Sequence, residues 1–326
     1  MSQNVKRGDA CALPTQKNDA GFTKKFSTGE LPVEPNRYHY VWAKFCPWAT
    51  PAAMMIDYTG LNKVISKFAT YPLRHPGIDD DWFFGKNADD EDPMLHTTRL
   101  SQNYKKAVPN FSARPTVPAL IDLTTGGVVN DSSRDIMFEL GGSWRGYFDQ
   151  NVPDVYPDDL KAEIDAMNTR IITDITSIPG KINDVDSQAE YDMLFNQYFD
   201  RLAQLDRRLA DKRFLMGDHI TLPDFWLVVS LIRFDVVFYF KSKLNKKRLV
   251  DFPNLWRYAK ECYQIPAFKQ NTDFTAIKQH FFQVSDDPVT SFDRVIPGGP
   301  DLSKWEDWFW FKTERSSTSP DHADCV

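Results

Sequence analysis

Apolar positions alternate with polar ones in the first half of the chain and recur at helical spacing in the second. In residues 38–42 the large side chains fall on Tyr38, Tyr40 and Trp42, which predicts a strand running into Phe45, Cys46, Pro47, Trp48 and Ala49. Trp48, Met54, Met55 and Ile56 then predict a helix over 47–58, with Gly60 placed to end it. Val64, Ser66 and Phe68 alternate as a second strand would within 61–68, and 100–108 reads as a helix. Residues 116–123 predict a strand, 124–127 a hairpin turn, and Val128 and Val129 its returning partner. Pro118 cannot donate to a ladder, so it belongs at a strand start, at an edge or in a cis bond, and a cis-proline facing a ligand is one solution. Asn130, Asp131, Ser132 and Ser133 can cap a following helix. Residues 37–150 therefore read βαβαββα, an α/β domain of ordinary size.

The proline-bearing segment 152–157 marks a linker, and 151–283 is helical in period throughout. Leu160, Ile164, Met167, Ile171 and Ile172 share one face, as do Tyr191, Leu194, Tyr198, Leu202 and Leu205. Thr221 and Asp224 form a capping box ahead of 225–240, a run apolar almost all round, as a core helix of a bundle should be. The polar arm 1–36 is expected to lie on the surface. In the acidic stretch 79–93, Trp82, Phe83 and Phe84 are expected to fold back out of water. The tail 284–326 is loop-like, with Trp305, Trp308, Phe309 and Trp310 anchoring it.

A chain of 326 residues, 42% hydrophobic and 14% aromatic, can bury two ordinary cores. Its net charge of −6 and the lack of a strongly basic face argue against nucleic acid or an anionic membrane as partner. The cluster Lys243, Lys246, Lys247 and Arg248 reads as a solvated helix end. Four cysteines, Cys11, Cys46, Cys262 and Cys325, are too scattered for a disulfide framework or a zinc site, so no metal is expected. No apolar leader or 18-residue apolar span is present, and the expected compartment is a reducing cytoplasm.

Candidate chemistry centres on Cys46. Proline is favoured at the first helical position, so Pro47 makes Cys46 the expected N-cap. Unpaired N–H groups and the positive end of the helix dipole would stabilise its thiolate, the nucleophilic form. The alternative is a small buried hydrophobe, the usual fate of a reduced cysteine. The helix start at 130–133 is a second anion site, suited to a carboxylate.

Taken together, the cysteine at the first helix, the Val-Pro strand, the Asp-Ser helix start and the capping box resemble a glutathione transferase. Four stretches resemble its xi class, the glutathionyl-hydroquinone reductases: Cys46-Pro47-Trp48-Ala49, the run from Arg114 through Pro118 to Leu120, Leu231-Ile232-Arg233-Phe234-Asp235, and Phe252-Pro253-Asn254-Leu255-Trp256. The similarity spans roughly residues 37–300. It implies a glutathione-transferase fold, α/β plus all-α, with a thioredoxin-like N-terminal domain and a C-terminal helical bundle. It further implies glutathione as co-substrate, a bulky aromatic second substrate and a homodimer. By the same resemblance Cys46 matches the nucleophile, Trp82 a tryptophan lying along glutathione, and Arg114 a basic residue near its carboxylate end. Val117, ahead of a cis Pro118, would pair its backbone with the cysteinyl part, and Ser132, with Asp131 where the family has Glu, would hold the γ-glutamyl carboxylate. Ala49 stands where a dithiol motif has its second cysteine, so a Cys46–glutathione mixed disulfide would be resolved from outside.

The second-substrate pocket departs from the family. Gly180, Phe281 and Phe282 stand at tyrosine positions, and around Phe238 to Lys241 a Tyr and a His are replaced, removing hydrogen-bond donors for a quinol oxygen. Pro51 replaces a His or Arg and is expected to tighten or bend the first helical turn. Three functions stay open: deglutathionylation of aromatic conjugates, ordinary glutathione conjugation, and non-catalytic carriage of glutathione or another ligand.

Overall fold

The computed structural model describes residues 21–73, 75, 81–283 and 295–307. Four strands form one sheet in the order β2-β1-β3-β4. β1 (Tyr38–Trp42) pairs in parallel with β2 (Ile65–Ala69) and antiparallel with β3 (Ala119–Asp122), which pairs with β4 (Gly127–Asn130). α1 (Thr50–Thr59), α2 (Leu100–Ala107) and α3 (Ser133–Ser143) complete the βαβαββα order that the apolar spacing predicts. Every residue of β1 is buried, including His39, whose ring nitrogens lie 2.7 Å from Ser66 Oγ and 2.9 Å from Asp92 Oδ2. A buried polar ring is tolerated when both nitrogens are partnered.

Two local expectations change. β2 begins at Ile65 rather than at residue 61, because Gly60, at φ +80, ends α1 and a 3-10 turn over Leu61–Lys63 follows. Residues 21–36 lie largely on the surface, as expected, but Phe22, Phe26 and Leu31 pin the segment into the core. Phe22 meets Tyr104 edge-on at 4.9 Å, Phe26 meets Tyr38 at 5.0 Å, and both are buried. Ser27 donates its N–H and hydroxyl to Glu139, and Thr23 bridges Asn130 at the open edge of β4. Three apolar anchors, Phe22, Phe26 and Leu31, outweigh the polar composition around them. Trp82, Phe83 and Phe84 do fold inward. Residues 1–20, Asp79 and Asp80 lie outside the described residues.

The helical half contains α4 (Lys161–Ile171), α5 (Ile178–Lys181), α6 (Gln188–Arg208), α7 (Leu222–Arg233), α8 (Tyr239–Lys241), α9 (Pro253–Tyr263), α10 (Pro266–Lys269) and α11 (Phe274–Lys278). π-helical turns over Ile172–Thr176 and Phe234–Phe238 interrupt the winding after α4 and α7. All twelve residues of α7 are buried, as its all-round apolarity requires, and α1 packs against both α7 and α10. On α4, Ile164, Met167 and Ile171 are buried, while Leu160 and Ile172, which flank it, are half-exposed. Lys243, Lys246 and Lys247 are exposed in the loop after α8, and the Arg248 guanidinium sits 3.7 Å over the Tyr239 ring. Trp305 anchors the start of the tail against Trp256, Tyr263 and Phe274; Trp308, Phe309 and Trp310 lie outside the described residues.

Candidate active site

Between β1 and α1 the chain turns through residues 43–49. The continuous ladder of α1 starts at Thr50 with Ala49 before it, and a single helical turn bonded to the Cys46 carbonyl precedes it. Pro51 is the reason: it has no N–H to donate to the Pro47 carbonyl, and 47–49 stays a turn. Helical winding nevertheless opens at Cys46, whose carbonyl accepts from Thr50 N–H at 3.1 Å and Thr50 Oγ1 at 2.7 Å.

Several groups hold this turn. Cys46 N–H donates to Ala43 O at 3.0 Å. From beneath, the Tyr40 hydroxyl donates to Ala49 O at 2.7 Å, and burial keeps that hydroxyl well above the ordinary phenol range. From α7, the fully buried Arg233 donates to the carbonyls of Lys44 at 2.8 Å and Phe45 at 3.0 Å, and to Thr50 Oγ1 at 3.0 Å.

Sheet register gathers the other residues singled out from the sequence. Val41 lies opposite Ala119 and Leu120 opposite Asn130, so the ends of β1 and β4 meet the start of β3 at one end of the sheet. There Cys46 Sγ stands 3.8 Å from the carbonyl of Val117, and the Val117–Pro118 bond is cis. A thiol is a weak donor at this distance. Cys46 is only 2% exposed, so a reaction partner must enter a shielded site.

Trp82 is fixed through its backbone, its carbonyl accepting from Leu100 N–H at 2.9 Å. Its ring lies 5.3 Å from that of Phe45, the residue before Cys46, and the Arg114 guanidinium sits 6.0 Å over it. At the start of α3, Ser132 Oγ caps the helix by accepting from Asp135 N–H at 3.2 Å. Asp131 accepts from the Tyr104 hydroxyl at 3.0 Å, and the same hydroxyl contacts Thr116 O, one residue before Val117. Burial pushes the Asp131 carboxyl up to about 6, against the pull of the Tyr104 bond.

Phe238 and Phe281 meet edge-on at 6.3 Å, and Lys241 donates to the Phe281 carbonyl at 3.0 Å; Phe282 is half-buried against the core. Sequence reasoning missed His280. It stacks on Phe45 at 3.6 Å, lies 5.7 Å from Trp82, and sets Nδ1 3.1 Å from Pro72 O. A carbonyl can only accept, so Nδ1 carries the proton. Nothing in a lone histidine after an amphipathic run announces a partner 235 positions upstream. Among the described residues no group of three or more His, Cys, Asp or Glu side chains could hold a metal, and no helix is long and apolar enough to cross a membrane.

A four-stranded mixed sheet carrying a cysteine turn and a cis-proline, joined to a helical bundle, defines the glutathione transferase fold. Residues 188–261 match the glutathione S-transferase C-terminal domain. The glutathionyl-hydroquinone reductase YqjG of Escherichia coli is 31% identical over 86% of this chain and 83% of its own. The glutathione S-transferase omega-like 2 of Schizosaccharomyces pombe is 30% identical over 77% of this chain and 82% of its own. Among solved structures, a glutathione transferase from Gordonia bronchialis superposes with a TM-score of 0.80 at 34% identity, covering 87% of each chain. The xi glutathione transferase of Phanerochaete chrysosporium reaches 0.77 at 28% identity, covering 88% of this chain and 98% of its own. The chain belongs to the xi class of glutathione transferases, the glutathionyl-hydroquinone reductase family.

Proposed function

We propose that this protein removes glutathione from glutathionyl-hydroquinones or related aromatic conjugates, with Cys46 as nucleophile. The observation that carries this reading is the placement of Cys46 Sγ 3.8 Å from the Val117 carbonyl, beside the cis Val117–Pro118 bond. An extended peptide thiol laid along residues 116–118 brings its sulfur to Cys46. Relatives named as glutathionyl-hydroquinone reductases, and a YqjG structure solved with glutathione bound, support glutathione as that thiol.

The chemistry runs in two displacements. The Cys46 thiolate attacks the conjugate's sulfur, an S–S bond forms, the sulfur–carbon bond breaks, and the released hydroquinone carbon takes a proton. A second glutathione thiolate then attacks the mixed disulfide, giving oxidised glutathione and restoring Cys46. Trp82 and Arg114 line the peptide's carboxylate end. Ser132 and the start of α3 face the γ-glutamyl end, where Asp131 suits the ammonium rather than the carboxylate, since two carboxylates repel. The product is tested by incubating the protein with glutathionyl-menadione and glutathione, and following menadiol and oxidised glutathione in equal amounts. No release overturns the reading.

One observation favours a second reading. Phe238 and Phe281 meet edge-on and carry no hydroxyls, so a second-substrate pocket built on them suits an apolar ligand better than a quinol oxygen. Retention on glutathione resin without release would identify a carrier; formation of a new conjugate from glutathione and an electrophilic arene would identify a conjugating enzyme. The cytoplasmic setting and a homodimer belong to the same proposal, and sedimentation of the purified chain checks the dimer.

Asp131 sets a pH dependence. Its folded value, about 6, lies above the ordinary aspartate value of 3.8, so its ionisation opposes folding. The corresponding stability is complete below about pH 4 and is lost as pH rises through about 6. Binding runs the other way, because only the ionised carboxylate attracts an ammonium. The KM for glutathione is expected to rise as pH falls through about 6, and Asp131→Asn is expected to flatten that profile. A wild-type KM constant from pH 5 to 7.5 would refute the assignment.

A further inference from the structure

We infer that Arg233 is a positioning residue for the nucleophile: a buried cation on α7 that holds the Cys46 turn through its two preceding carbonyls and the Thr50 hydroxyl. This rests on the reading of Cys46 as the reacting thiol.

Arg233 is 1% exposed and makes four hydrogen bonds with Phe45 O, Lys44 O, Thr50 Oγ1 and Val229 O. The last lies one turn back on its own helix and steadies the guanidinium. The other three span the turn on both sides of Cys46. Thr50 Oγ1 also donates to Cys46 O at 2.7 Å, so Arg233, Thr50 and Cys46 form one hydrogen-bonded chain. A carbonyl consumed by a guanidinium cannot turn toward the thiolate, and the cation lies beside the peptide preceding Cys46. Both effects favour the ionised sulfur. Arginine is required for the geometry: its planar fork reaches three acceptors on two sides of a turn, and a lysine ammonium on a flexible stem does not. Pro51 raises the demand on this clamp, because it removes the helical bond that would otherwise secure Pro47. Other titratable or charged groups around the turn, among the described residues, are Tyr40 on β1, Lys44 with Asp273, Arg114 over Trp82, and His280 on Phe45.

The test measures iodoacetamide alkylation of Cys46 against pH in wild type, Arg233→Lys, Arg233→Gln and Thr50→Val, with peptide mapping to isolate Cys46 and thermal unfolding to confirm that each variant is folded at the assay temperature. Arg233→Gln is expected to move the midpoint upward by about one pH unit, and Arg233→Lys, which keeps the charge, by less. In turnover, Arg233→Lys is expected to lower kcat about tenfold with the KM for glutathione within about twofold. Thr50→Val leaves the cation and its contacts with the Lys44 and Phe45 carbonyls in place, removes the hydroxyl that joins Arg233 to the Cys46 carbonyl, and is expected to shift the midpoint in the same direction; it decides the matter if Arg233→Gln fails to fold. Variants that lose thermal stability while keeping the wild-type alkylation profile and kcat would overturn the inference and leave Arg233 a structural strut. Alkylation needs no substrate, so an inactive wild type would refute the reaction proposed above without touching this result.

Discussion

Replacing Cys46 with serine is expected to lower glutathione-dependent hydroquinone release by about a thousandfold or more, to the rate of the uncatalysed exchange. Serine keeps the size of the side chain and its place beside Val117, so the turn stays intact. A neutral hydroxyl cannot form an S–S bond, and no second cysteine follows in the motif, where Ala49 stands instead. The other described cysteine offers no substitute. Cys262 on α9 is fully buried, and that burial, with Asp224 and Glu261 nearby, pushes its thiol well above the ordinary range. Mass spectrometry after incubation with oxidised glutathione is expected to find the adduct on Cys46 and none on Cys262. A Cys46→Ser variant retaining half the wild-type rate would refute the two-displacement mechanism.

Asp224→Ala is expected to be the most destabilising substitution in the helical half. The carboxylate is completely buried at the start of α7 and accepts four hydrogen bonds: Thr221 N–H and Oγ1 at 2.9 Å each, Leu215 N–H at 3.0 Å, and the Tyr258 hydroxyl at 2.8 Å. Burial raises its pKa while these donors oppose the rise. Alanine strands the donors at Thr221, Leu215 and Tyr258 away from water, at roughly 1–3 kcal/mol each, and removes the cap. Relaxation and entering water recover part of this, and a net loss of about 3–5 kcal/mol corresponds to a Tm lowered by about 10 °C in a chain of this size. Arg233 lies at the far end of α7, so fraying from Thr221 also loosens the clamp on the Cys46 turn. A Tm within about 2 °C of wild type would show that the box is not a principal support.

Local signals proved readable where neighbours in sequence are also partners in space. The alternation at Tyr38, Tyr40 and Trp42 marks β1, the Thr221–Asp224 box marks the start of α7, and the turn residues at 124–127 mark the hairpin. Pro118 at a strand start signalled a special bond, and the bond is cis. Misreadings arose where a distant contact decides a local outcome. Phe22 and Phe26 sit in polar sequence, and only the rings of Tyr104, Tyr38 and Trp144 reveal them as core. Pro51 has no N–H for the Pro47 carbonyl, so the continuous ladder begins at Thr50 although the first helical bond already closes on the Cys46 carbonyl.

By itself the sequence determined the order of elements, the all-round burial of α7, and a motif that names one cysteine as the candidate nucleophile. These depend on periodicity, capping and proline chemistry, which act within a few residues. Only the tertiary structure decided what surrounds that cysteine. Register brought Val117 and Pro118 to Cys46, a helix nearly 190 positions downstream supplied Arg233, and His280 arrived from the end of the bundle to stack on Phe45. Hydrogen bonds and ring contacts fall off within a few ångströms but are indifferent to chain separation. The strand and helix of the candidate site were therefore legible in advance, and its supports were not.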